Sequence, residues 1–119
     1  MDWLKMSSRR EAGWTVVGVI GELDIASGTQ LGDHLEEVIA KDDPPRVVLD
    51  MSRLDFCDAS GLSVLAAAQH AALRGNGQLR LVCPQSRFRR LLRITELTDV
   101  IPVFDTVTQA TSAEKERVS

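Results

Sequence analysis

A chain of 119 residues, 44% hydrophobic and 26% charged, has enough apolar side chains for one core and too little length for two ordinary domains. That balance excludes a disordered chain and a membrane-embedded one. A net charge of -3 argues against general nucleic-acid binding, which calls for an overall basic surface.

Met1 to Arg10 lacks the basic start and apolar stretch of a secretory signal, and no later segment reaches transmembrane length, so a cytoplasmic protein without a membrane partner is expected. The first strand is expected over Trp3–Arg9, turning through Arg10-Glu11-Ala12-Gly13 into a β-branched strand from Trp14 to Ile20. Ser27, followed three residues later by Gln30, matches a capping box. Leu31, Leu35, Val38 and Ile39 then share one face of a helix ending near Lys41.

Asp42-Asp43-Pro44-Pro45 reads as a loop, and Arg46–Met51 as a strand covered on both faces, from its run Val47-Val48-Leu49. The alanine-rich stretch Leu62–Leu73 predicts a second helix close to the sheet, stopped by Gly75 and Gly77. Gln78–Cys83 alternates as a strand does, and Phe88, Leu91 and Leu92 predict a third helix over Ser86–Ile94. Val100–Phe104 reads as an edge strand because of Pro102, with Asp105 capping a short last helix. The domain is expected over 1–111, with a polar, disordered tail over 112–119.

The order β-β-α-β-α-β-α-β-α predicts an α/β domain: a small mixed sheet of about five strands, an antiparallel first pair, then right-handed crossovers. Loops beginning at Gly21, Met51 and Cys83 then gather at the carboxyl ends of the strands, where open α/β sheets present ligands or partners.

Two of these loops carry motifs: Gly21-Glu22-Leu23-Asp24, and Phe56-Cys57-Asp58-Ala59-Ser60-Gly61-Leu62. With Asp58 as N-cap, its carboxylate can accept from the N–H of Ser60 or Gly61, and Ser60 becomes the second helical residue with an exposed hydroxyl. Both residues also suit a helix start for capping alone. Asp24 reads equally as a turn residue satisfying local N–H groups or as one that approaches Ser60 across adjacent strands. Gly21 implies positive φ or close packing.

In this order and separation the two motifs resemble a bacterial anti-sigma factor antagonist of the STAS superfamily, the resemblance covering about residues 14–104. It implies a non-enzymatic partner switch. In that family the unphosphorylated protein binds an anti-sigma factor that is also a serine kinase, and so releases a sigma factor. Phosphorylation of the motif serine, here Ser60, ends the binding, and a protein phosphatase restores it. The implied partner-facing residues are Gly21, Glu22 and Asp24 from the first motif, and Asp58, Ala59, Ser60, Gly61 and Leu62 from the second. Relatives often carry two adjacent hydroxyl residues there; Ala59 leaves Ser60 as the one hydroxyl within this motif.

Other chemistry finds little support. Ser60 sits in no G-x-S-x-G elbow, and His70 would lie about 15 Å along the same helix. Cys57, Cys83, His34 and His70 match no zinc spacing, and no phosphate-binding loop occurs, so neither metal nor cofactor is expected. Both cysteines are expected to be small buried hydrophobes rather than a disulfide. Arg87, Arg89, Arg90 and Arg93 read as a solvated helix face, with an acidic partner or nucleic acid as the alternative. A STAS scaffold that binds without turnover and a small nucleotide-binding protein are the competing functions. A monomer or weak dimer is expected.

Overall fold

Ala12 and Gly13 both have positive φ, 52° and 84°, the backbone that a two-residue hairpin turn between right-twisted strands demands. They join β1 (Leu4–Glu11) to β2 (Trp14–Leu23) antiparallel in this computed structural model, which describes residues 4–113. Trp3, expected to open the first strand, lies outside those residues. The chain continues through α1 (Ile25–Lys41), β3 (Arg46–Cys57), α2 (Ala59–Arg74), β4 (Gln78–Val82) and α3 (Ser86–Ile94). A 3-10 turn (Leu97–Asp99), β5 (Val103–Phe104) and α4 (Val107–Ser112) complete it.

The five strands lie in the order β1-β2-β3-β4-β5, parallel after the first pair. This is the expected single-domain α/β architecture. One face buries Leu31 and Leu35 of α1 and Leu65 of α2 against Leu49, Leu79 and Leu81 of the sheet, each at 0% exposure. Burying each leucine contributes about 1.5–3 kcal/mol. Gln69 is also buried on α2; its amide donates to the carbonyls of Leu79 and Val100 and accepts the Leu79 N–H, tying α2 to β4.

The opposite face holds Trp14, Val16, Val48 and Val82 under Ala110 and Val107 of α4. Strand alternation turns Arg80 toward this side, where solvent would be expected, yet it is 1% exposed. Its guanidinium stacks 4.3 Å from the Trp14 ring and donates to the carbonyls of Ala110 and Ala113. A buried cation is tolerated because the end of α4 supplies acceptors.

Several boundaries differ from expectation. The capping box of α1 begins at Asp24, not Ser27, so the helix starts three residues earlier, with Ser27 as its N3 partner. β2 and β3 run on to Leu23 and Cys57, so Gly21 and Met51 lie within strands rather than loops. Ala68 and Ala72 of α2 are buried, whereas Ala66 and Ala67 face outward. β5 is confined to Val103 and Phe104, because Val100 follows the 3-10 turn, and Thr106 rather than Asp105 caps α4. Helix α4 includes Ser112, one residue beyond the expected domain boundary; the tail expectation over 114–119 lies outside the described residues.

Candidate partner-binding site

β2 and β3 are parallel neighbours that end level with each other, Leu23 opposite Cys57. Each passes to a helix through one aspartate. Asp24 caps α1 by accepting the Ser27 N–H at 2.9 Å, and Asp58 caps α2 by accepting the Gly61 N–H at 2.9 Å. Two helix N-termini, each the positive end of a macrodipole, therefore stand side by side with a carboxylate on each. The Ser27 N–H holds the Asp24 carboxyl below its ordinary value, opposed in part by burial.

The two turns are packed together through backbone. The Asp58 N–H donates to the Leu23 carbonyl at 3.1 Å. A Cβ on Gly61 would come within 2.6 Å of that carbonyl oxygen and 3.0 Å of the Asp24 nitrogen, while one on Gly28 would meet the Gly61 oxygen at 3.1 Å. At Gly61 only glycine allows this approach, and at Gly28 a side chain would press the two turns apart by a few tenths of an ångström. Gly21 has φ 117° and sits where the β2–β3 register slips, so of positive φ and close packing, the two reasons expected for it, the first holds.

Ser60 is the second residue of α2 and exposed. Its hydroxyl donates to Asp58 Oδ1 at 2.7 Å, so one carboxylate oxygen holds both the helix cap and the hydroxyl. Ser63 donates back to the Ser60 carbonyl at 2.8 Å. Ser27 is 3% exposed, donating to the Glu22 carbonyl and accepting the Asp24 N–H, which leaves its hydroxyl committed inside the turn.

Of the expected partner-facing residues, Glu22, Ala59 and Ser60 are exposed and Gly21, Asp24 and Asp58 half-buried. Leu62 is a correction: at 1% exposure it points into the core, because the fourth helical position turns toward the sheet. Gly61 is likewise buried, in the seam between the turns. Two surface residues escaped the sequence reading: Ile25, first in α1 and 70% exposed, and Phe56, 46% exposed. Their signal was an apolar residue close to each cap, Ile25 directly after Asp24 and Phe56 two residues before Asp58.

The arginines of α3 are more than a solvated face. Arg90 and Arg93 are exposed, but Arg89 donates to the Cys83 carbonyl and pairs with Asp105 at 2.8 Å. Arg87 donates to the Asp55 carbonyl. Cys57 and Cys83 are buried free thiols; burial, with lesser contributions from Cys83 and Asp58, pushes the Cys57 thiol up to about 12. His34 is bound to the Ser8 hydroxyl at 2.9 Å. Among the described residues no helix is long and apolar enough to cross a membrane.

The STAS domain model matches residues 5–110. An anti-sigma F factor antagonist of Paenibacillus polymyxa is 26% identical over 86% of this chain and 87% of its own length. The anti-sigma-F factor antagonist RsfB of Mycobacterium tuberculosis is 29% identical over 82% and 79%. The crystal structure of an anti-sigma factor antagonist from Mycobacterium paratuberculosis superposes with a TM-score of 0.80 at 27% identity, covering 90% of each chain.

Proposed function

Because the chain belongs to the STAS domain family, we propose that it acts as an anti-sigma factor antagonist, binding an anti-sigma factor with serine kinase activity through the paired turns at Asp24 and Asp58. In the unphosphorylated state it competes with a sigma factor for that partner. Phosphorylation of Ser60 ends the complex, and a protein phosphatase restores it. The reading entails a cytoplasmic protein that catalyses nothing itself.

The observation that carries this reading is the exposed Ser60 hydroxyl at the second position of α2, beside the start of α1. Transfer forms an Oγ–phosphorus bond, breaks the bond from the γ-phosphorus of ATP to its bridging oxygen, and releases ADP and the hydroxyl proton. The product carries about -1.5 to -2 charge next to the Asp58 carboxylate, to which the hydroxyl had donated. An interface seated there meets repulsion where it had met a neutral hydroxyl. A loss of about 1–3 kcal/mol lowers affinity by roughly one to two orders of magnitude. Exposed Ile25 and Phe56 supply apolar contact around the polar centre, as protein interfaces require.

The test uses the anti-sigma factor kinase of the same organism with Mg-ATP. The intact chain gains one phosphoryl mass and Ser60→Ala gains none; a gain that survives in Ser60→Ala refutes the assignment. In binding measurements Ser60→Ala stays associated and Ser60→Asp is weakened about tenfold or more. Equal affinities would rule out charge as the switch.

A further inference from the structure

The end of β3 that delivers Asp58 and Ser60 is held in an unusual way. β4 stops at Val82, opposite Asp50. From Met51 to Cys57, β2 is therefore the one strand beside β3 among the described residues, and the β2–β3 register slips twice along it. Carbonyls on the side that β4 vacates have no ladder partner there, and unpaired strand backbone has to find donors elsewhere.

Gln85, the residue before α3, provides them. Its Nε2 lies 3.0 Å from the Met51 carbonyl oxygen, 3.2 Å from that of Ser52 and 3.4 Å from that of Leu54. Arg87 adds a bond to the Asp55 carbonyl at 3.2 Å, with its guanidinium 4.7 Å from the Phe88 ring. The other end of the Gln85 amide is fixed as well, since the Cys83 thiol donates to Oε1 at 3.6 Å. A flipped amide would set that oxygen against three carbonyl oxygens, so the network permits one orientation.

Bulged strand ends tolerate alternative registers unless something selects one. Met51 and Leu54 anchor the inner face of this segment, while Arg53, Asp55 and Phe56 face outward. The outer course of the strand thus depends on the side-chain clamp. We propose that Gln85 is a positioning residue for Ser60: standing in for the missing strand, it sets where Asp58 opens α2 and how the Ser60 hydroxyl is presented. The role rests on the reading of Ser60 given above.

Gln85→Glu is the sharpest test. It keeps the length of the side chain, removes both N–H donors and sets a carboxylate against the three carbonyls; Gln85→Ala is the companion variant. Amide hydrogen exchange of the whole chain reads the effect without any partner. The amides of Asp58 and Gly61, bonded to the Leu23 carbonyl and to Asp58 Oδ1, are expected to exchange about tenfold faster or more in both variants. Core amides at Val48 and Leu81 keep their wild-type rates. Phosphorylation of Ser60 by the anti-sigma factor kinase should fall in kcat/KM by a similar factor.

Unchanged exchange at Asp58 and Gly61 in both variants overturns the positioning role, whatever the kinase does. Acceleration spread equally through Val48 and Leu81 overturns it too, because Gln85 would then merely stabilise the fold. A wild-type chain that the kinase never phosphorylates overturns the reading of Ser60, and the role toward it, while leaving the exchange result standing.

Discussion

Gly61→Ala tests the seam between the two turns directly. The added methyl would lie 2.6 Å from the Leu23 carbonyl oxygen and 2.8 Å from its carbon, whereas ordinary van der Waals contact begins at 3.4 Å. The shortfall is about 0.8 Å. The obstructing atoms are backbone, so no rotamer change relieves it, and α2 and the β2–α1 turn must separate. Overpacking of this kind costs about 1–3 kcal/mol, and replacing a helical glycine returns at most about 1 kcal/mol. Because the clash is with backbone at under 3.0 Å, the cost falls at the upper end of that range, and the net expectation is a loss of about 2 kcal/mol, or a fall in Tm of roughly 8 °C for a domain of this size. The Asp58 N–H bond to the Leu23 carbonyl, 3.1 Å long, stretches with it. Thermal and urea denaturation with an unchanged m-value measure the cost. Gly32→Ala is the control, because its methyl meets only the Val64 side chain at 3.3 Å, which can yield; it should melt within a few degrees of wild type or above it. A Gly61→Ala chain as stable as wild type would refute the close apposition of the two turns.

Ile25→Ala and Phe56→Ala should each weaken association with the anti-sigma factor by about 1 kcal/mol or more, read by calorimetry. Ile25, 70% exposed, should leave Tm nearly unchanged, whereas Phe56, 46% exposed, should lower it by a few degrees through lost packing; undiminished affinity in both would remove them from the interface. The Asp24 carboxyl is held below its ordinary 3.8, so its ionised form stabilises the fold fully above that value and loses this as pH falls through the lowered one. Asp24→Asn should therefore flatten the acid limb of a stability–pH curve while matching wild type near neutrality, since asparagine also caps; parallel acid limbs would contradict it. Cys57, with its thiol pushed up to about 12, should react with a thiol reagent at neutral pH only as fast as the chain opens. Rapid labelling of the native protein would contradict its burial.

Strand and helix order followed from local patterning because β-branched runs such as Trp14–Ile20 and periodic faces such as Leu31, Leu35 and Ile39 bury themselves in one way. Caps were harder. Asp24-x-x-Ser27 and Ser27-x-x-Gln30 are both acceptable frames, and the choice falls to Asp24 because Leu23, at 0% exposure, must remain in the sheet beneath the turn. Tertiary features left no local trace. Arg80 sits at a strand position that alternation assigns to solvent, and it is buried only because α4, some thirty residues later, lies over it. Gln85 lies between the expected strand Gln78–Cys83 and the expected helix Ser86–Ile94 with no motif to mark it; its partners are on β3, and their need arises from β4 ending early. Ser60 was recognisable from its motif, whereas the shared Asp58 oxygen that holds both its hydroxyl and the Gly61 N–H is a matter of geometry.

That shared oxygen decides what kind of switch the proposed phosphorylation would make. A phosphoryl group on Ser60 removes the hydroxyl donor at 2.7 Å and competes with Asp58 for the Gly61 N–H, the nearest unpaired helix-start donor once the carboxylate turns away. The rearrangement has no route inward. Leu62 and Leu65, at 1% and 0% exposure, anchor the same turns of α2 in the core, and the Gly28–Gly61 seam holds α1 against it. With the backbone fixed from beneath, the added charge of about -1.5 to -2 is expressed at the surface, beside Asp58 and in the turn packed against that of Asp24. The fold then serves as a rigid frame on which a single neutral side chain becomes negative for the partner. A chain phosphorylated on Ser60 should accordingly keep the core amide exchange of the unmodified protein while losing the complex.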